Sequence, residues 1–240
     1  MVRRLAVLAC GFVLFSAAPA LAQMQWTDKA FLNLSAGLQI GTSDVTSTQT
    51  FDLYAEEGTI LSAQDVKGGF FVDGQFTYRV RGNFGVGVGA TFVQGKADAE
   101  ITGSIPDPIE FDAHRDASAS ATELTHRETW IAGLVTWGMP LTSKIDVFFS
   151  GGPAFVQVEQ EIPTGVTVTE PGPTISDVTV TSFSESGIGF VVGADLRYMV
   201  TNRIGLGVLG KFSAASVELS DGTKVDAGGF QLGGGLRIKF

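Results

Sequence analysis

Two histidines occur among the 240 residues, and each has groups nearby that could exchange a proton with it. His126 lies in His126-Arg127-Glu128-Thr129, and His114 has Asp116 and Ser118 close behind it. A histidine within reach of a hydroxyl and a carboxylate is the material of nucleophilic hydrolysis. Short polar stretches produce such groupings freely, however, and neither has a spacing that demands catalysis. The reading is therefore no enzyme and no catalytic residue, with both histidines solvated in a loop or at a strand rim.

Carboxylates form the second chemical feature. Asp44, Asp52, Glu56, Glu57 and Asp65 fall in one polar segment, and Asp98, Glu100, Asp107, Glu110, Asp112, Asp116 and Glu123 in another. Grouped carboxylates bind Ca²⁺ or Mg²⁺, but no calcium-loop pattern of acids closed by a glutamate is present. Solvated acidic loops are the expectation, with no metal or cofactor. The formal net charge of −9 argues against nucleic acid as a partner.

The elements that position these residues start behind a leader. Arg3 and Arg4, an apolar run over 5–15 and Ala20-Leu21-Ala22 read as a secretory signal peptide. The run falls short of a helical span, which needs roughly 18 or more apolar residues. Residues 1–22 are thus expected to be removed, taking the single cysteine, Cys10, with them, and 23–240 to form one domain. No later stretch is apolar enough for a membrane helix, yet 44% of the chain is hydrophobic and 31 residues are glycine. Membrane residence without a helix leaves a closed barrel, because backbone polar groups must all be paired inside lipid.

Eight runs alternate with period two, at 31–41, 69–80, 84–94, 124–139, 144–160, 183–200, 204–219 and 230–240. In the last, Phe230, Leu232, Gly234, Leu236, Ile238 and Phe240 alternate with Gln231, Gly233, Gly235, Arg237 and Lys239. Large apolar residues on one face and small or polar ones on the other suit a barrel that is apolar outside. The inward set places Asp73, Arg79, Asp146, Asp195, Arg197, Lys211, Arg237 and Lys239 in the lumen. The fourth run is the least regular, since Trp130 and Trp137 fall on opposite parities; Ile131, Val135 and Trp137 are read as outward. Outward Tyr78, Trp137, Tyr198 and Phe240 form an aromatic girdle near the short turns, and Phe70, Phe92, Phe155, Phe190 and Phe230 a second band near the long connections. The fold class is all-β: an eight-stranded antiparallel transmembrane β-barrel with short periplasmic turns and long extracellular loops, the latter mobile or partly strand-extended.

With these strands, the loop asymmetry and the ending Gly235-Leu236-Arg237-Ile238-Lys239-Phe240, the chain resembles the small outer-membrane barrels of the OmpA/OmpX-like class. Gly235, Ile238 and Phe240 resemble the C-terminal signal read by the barrel assembly machinery of Gram-negative bacteria, although Gly233 stands where such signals commonly carry a polar residue. The resemblance implies an outer-membrane location after export, with outer-membrane lipid, lipopolysaccharide and the assembly machinery as partners. The peptidoglycan-binding domain of full-length OmpA-type proteins is not expected. The implied role is structural or surface-interacting, with displayed loops, an unidentified extracellular ligand and a lumen plugged by its own salt bridges. A narrow porin-like channel for small polar solutes or ions is the alternative, because inward glycines leave volume for water. A lipid A-modifying enzyme using His126 or His114 at the membrane rim is the distant alternative. Divalent cations bridging the acidic loops to lipopolysaccharide phosphates stay open beside plain solvation.

Overall fold

The computed structural model describes residues 25–41, 43–220 and 222–240; the expected signal peptide, with Cys10, lies outside them. Ten strands follow one another: β1 (Ala30–Ile40), β2 (Ser43–Leu53), β3 (Glu56–Val66), β4 (Phe70–Arg81), β5 (Phe84–Pro106), β6 (His114–Pro140), β7 (Ile145–Thr169), β8 (Thr174–Met199), β9 (Ile204–Glu218) and β10 (Lys224–Lys239). Eight of them close an antiparallel barrel in the order β1, β4, β5, β6, β7, β8, β9, β10. The seam is β1 against β10, from Phe31 opposite Lys239 to Ile40 opposite Phe230. The other two form a hairpin within the first long connection. In it, β3 replaces β4 as the partner of β5, pairing Val66 with Ala97 and Thr59 with Ser104. The eight expected strands are the closed cycle, and the hairpin makes ten.

The alternation changes sign along the strands. On β5, Phe84, Val86, Val88 and Phe92 face outward while Thr91 is buried. Beyond Phe92 the outward positions become Gln94, Lys96, Asp98, Glu100 and Thr102, and the inward ones Val93, Ala97, Ala99, Ile101 and Ile105, all buried. One end of the barrel is thus apolar outside and polar inside, and the other is built like a water-soluble barrel. Lipid explains the first and water the second.

Most of the connections expected as loops are strand. β5, β6, β7 and β8 run to 23, 27, 25 and 26 residues, against about 9–11 for a tilted crossing. Alternating β-branched residues supply the propensity, as in Val166-Thr167-Val168-Thr169 and Val178-Thr179-Val180-Thr181, with Val166 opposite Val178. This tall end forms a crown. Within it the β6–β7 ladder stops at His126 opposite Gln160, whereas β7–β8 pairing continues to Thr169 opposite Thr174.

Candidate functional site

The lumen charges stand in tiers that rise from the end carrying the short turns. Lowest, Lys239 bridges Asp146 at 2.6 Å and Asp28 at 3.1 Å. Arg79 donates to the carbonyls of Asp28 and Thr27, at 2.9 and 3.0 Å. Trp26, Phe31 and Phe148 pack together beside them with ring centroids 5.3, 5.1 and 4.9 Å apart. The Arg197 guanidinium lies 3.7 Å from the centroids of both Phe31 and Phe148. Its two amino groups have no hydrogen-bond acceptor among the described residues, and the ring faces take that place.

Asp195 organises the next tier. It accepts from Arg197 Nε at 2.6 Å, Arg237 Nη2 at 2.6 Å, Arg237 Nε at 2.9 Å and Asn33 Nδ2 at 3.3 Å. Above it, Asp73 accepts from Lys211 and from the Thr91 hydroxyl. Every one of the eight lumen charges thus meets an opposite charge or a backbone carbonyl, as groups desolvated in a narrow lumen must.

Two of the inward glycines make room for large side chains. A Cβ on Gly207 would stand 2.5 Å from Arg237 Nε, and one on Gly233 would stand 2.7 Å from the Phe71 ring. Arg237, from the adjacent strand β10, and Phe71, from across the lumen on β4, occupy the space these two glycines vacate. Cavities between these side chains include one of about 20 Å³ beside Lys211, Thr91 and Trp130, and one of about 10 Å³ beside His126 and Glu128. Neither holds more than a single water.

His126 is not at a solvated rim. It and Glu128 lie inside the barrel, 2% and 1% exposed. Glu128 accepts from His126 Nε2 at 3.0 Å, the Gly228 N–H at 3.0 Å, Gln39 Nε2 at 3.3 Å and Trp130 Nε1 at 2.7 Å. His126 Nδ1 meets Gln160 Oε1 at 2.6 Å, and Gln160 donates on to Gln64. Gly228 reaches the carboxylate with φ +105°, a backbone that favours glycine. The strand-four parity held the signal for this tier, since His126, Glu128 and Trp130 oppose outward Ile131 and Val135. The tier above is apolar, with Val45, Val66, Ala97, Leu124, Val158, Ile162, Val217 and Val225 buried together.

The remaining candidates sit apart. Tyr78, Tyr198 and Phe240 are half exposed on the outer wall, and Trp137 stacks on Phe149 at 5.9 Å. Gly235 and Ile238 pair with Ser35 and Leu32 across the seam, where the Phe240 N–H donates to Ala30. His114 lies at the crown, its Nε2 3.1 Å from the Glu57 carbonyl, with no hydrogen bond to Asp116 or Ser118.

Sequence reading missed the clasp that fastens the crown. Arg115 grips Glu170 with both terminal nitrogens, at 3.0 and 2.5 Å, and its Nε stands 3.1 Å from Asp107. Tyr54 donates to Glu170, and the Asp112 N–H donates to Glu56. The hydrogen bonds from Arg115 hold the Glu170 carboxyl below the usual glutamate range. The Ile109 and Glu110 N–H groups, and more weakly Arg115, lower Asp107. Acidic loops expected as solvated are partly neutralised, by Arg115 at Asp107 and Glu170, by Lys67 at Asp98 and by Lys96 at Glu123.

A lipid-facing wall, a lumen of paired charge and a water-facing crown define a membrane-spanning β-barrel. The chain belongs to the outer membrane protein beta-barrel domain family, whose pattern matches residues 8–240, and it is a protein of the Gram-negative outer membrane. Short turns then face the periplasm and the crown the exterior. Similar solved structures include Neisserial surface protein A (11% identity, 88% of this chain and 99% of that one, TM-score 0.42). OprG from Pseudomonas aeruginosa is another (12%, 89% and 96%, TM-score 0.43), as is the outer membrane protease OmpT from Escherichia coli (10%, 90% and 98%, TM-score 0.42). No curated protein matches the chain.

Proposed function

We propose that this protein is a plugged barrel whose role is structural or surface-interacting, exercised through its crown and not through transport or catalysis. The sealing of the lumen carries this reading. Paired charges fill the membrane level, the Trp26–Phe31–Phe148 cluster lies toward the periplasm, and the largely apolar tier lies above His126. Both nitrogens of His126 are engaged by Glu128 and Gln160, with no hydroxyl nucleophile among those contacts, which supports a non-catalytic role. In this reading outer-membrane lipid and lipopolysaccharide surround the wall, and the assembly machinery reads Gly235, Ile238 and Phe240. The test is single-channel conductance of the refolded protein in a planar bilayer. Silence is expected from the native chain; reproducible steps altered by replacing Arg197 and Arg237 with serine would establish a lumen pathway and overturn the proposal.

A further inference from the structure

β1 ends at Ile40 and β4 begins at Phe70, and the hairpin β2–β3 between them belongs to the crown. At this level β5 exchanges partners, from β4 at Gln94 opposite Phe70 to β3 at Ala97 opposite Val66. β10 turns there as well, at Gly228 and Gly229 with φ +105° and +137°. His126 stands level with the exchange, opposite Gly95. Its network spans the junction. Glu128 takes donors from Gln39 of β1 and Gly228 of β10, and His126 continues through Gln160 of β7 to Gln64 of β3.

The hydrogen bonds also place the protons. Each oxygen of Glu128 faces an N–H group that cannot reverse its role, Gly228 on one and the Trp130 indole on the other, which is the setting of a carboxylate. Gln160 gives its amino group to Gln64 Oε1 at 2.8 Å and to the Glu161 carbonyl at 3.1 Å, which turns its oxygen toward the histidine. His126 therefore meets an acceptor at each ring nitrogen, 2.6 Å from Nδ1 and 3.0 Å from Nε2. Only a doubly protonated ring donates to both; a neutral one sets a lone pair against one of these oxygens. The other charged residues lining the small cavity beside the pair are Lys67, paired with Asp98 on the outer wall, and Asp226, exposed on β10. β1, β3, β5 and β7 present uncharged Gln39, Gln64, Val93 and Gln160.

We infer that His126 and Glu128 form a proton-dependent latch that fastens the β2–β3 hairpin to the barrel. With the ring doubly protonated, Glu128, His126, Gln160 and Gln64 form one connected chain of hydrogen bonds. Loss of a ring proton as pH rises removes the donor to Gln160 or to Glu128 and leaves a buried acceptor facing a lone pair, which loosens the hairpin. The sign is opposite to that of the Arg115 clasp, whose carboxylates weaken in acid. The latch lies above the paired charges of the membrane level and does not depend on whether the crown binds a partner.

The test uses the refolded mature chain in phosphatidylcholine nanodiscs, with nitrogen-labelled histidine rings and His114→Gln so that a single ring is observed. Near neutral pH, NMR should show a hydrogen on both nitrogens of His126; one bare nitrogen overturns the inference. As pH is raised, amide protection factors over 60–66 should fall about ten- to a hundredfold in the range where the second ring proton is lost, while those over 32–36 in the seam hold. Protection of 60–66 that persists through that range sinks the latch, and so does a ring that keeps both protons until the barrel itself unfolds. His126→Gln carries no titrating proton, so its protection over 60–66 should start low and show no step there; a native-like step contradicts the assignment. Where that variant does not fold, Glu128→Gln reads the same link from the ring, which should then hold one proton near neutral pH, and two would contradict the pairing.

Discussion

At the scale of single residues, the lumen is governed by the cost of unpaired charge. Asp195 neutralises both Arg197 and Arg237, each 1% exposed. Asp195→Ala leaves two guanidinium groups buried with one carboxylate fewer and should cost about 3–5 kcal/mol in reversible urea unfolding from lipid; a loss under about 1 kcal/mol would show that the arginines find other acceptors or water. The clasp makes a pH prediction. Glu170 and Asp107 have carboxyls held below their ordinary values, so they contribute stability at neutral pH that is lost as pH falls through those lowered values. Amide protection factors at 107–113 and 170–172 should therefore fall below pH about 4, and in Arg115→Ala they should already be low at pH 7. Tips that exchange alike in both proteins across this range would refute the clasp.

At the scale of elements, period-two alternation made the membrane-spanning strands legible from sequence, including the outward set of the irregular β6. The crown was less legible because its chemistry inverts. A threonine or aspartate that marks the inside at membrane level marks the outside above Phe92, so Asp98 and Glu100 read as loop when they are the wet face of β5. The β2–β3 hairpin hid for the same reason, since its buried Val45, Ile60 and Val66 are spaced among residues of turn-like composition. The inversion is testable on one strand. Val88→Arg, in the lipid belt, should destabilise by about 2–4 kcal/mol, while Thr102→Arg, outward on the same strand, should stay within about 0.5 kcal/mol. Similar costs at both positions would remove the boundary. Gly228→Ala places a Cβ 2.2 Å from the Ser213 carbonyl oxygen at φ +105°, and should cost at least the 1–3 kcal/mol or so of a strained backbone and weaken the Glu128 tier.

At the scale of the whole molecule, the same chain solves two solvation problems in series. Within the bilayer the wall is apolar and the charges are paired inside; outside, the wall is polar and the core is largely apolar. Sequence showed the eight inward charges but not their partners, because pairing depends on which strands adjoin and on glycines that seat Arg237 and Phe71. Sealing is the property on which the account depends, and thiol accessibility measures it most directly. The sole cysteine of the sequence is Cys10, so Ser35→Cys and Ser213→Cys would each add a thiol to the lumen wall of the mature barrel, and Thr102→Cys one to the outer face of the crown. A small membrane-impermeant thiol reagent should label Thr102→Cys within minutes and leave the two lumen variants unlabelled until the barrel is unfolded in urea. Rapid labelling of both lumen positions in the folded protein would contradict a plugged barrel.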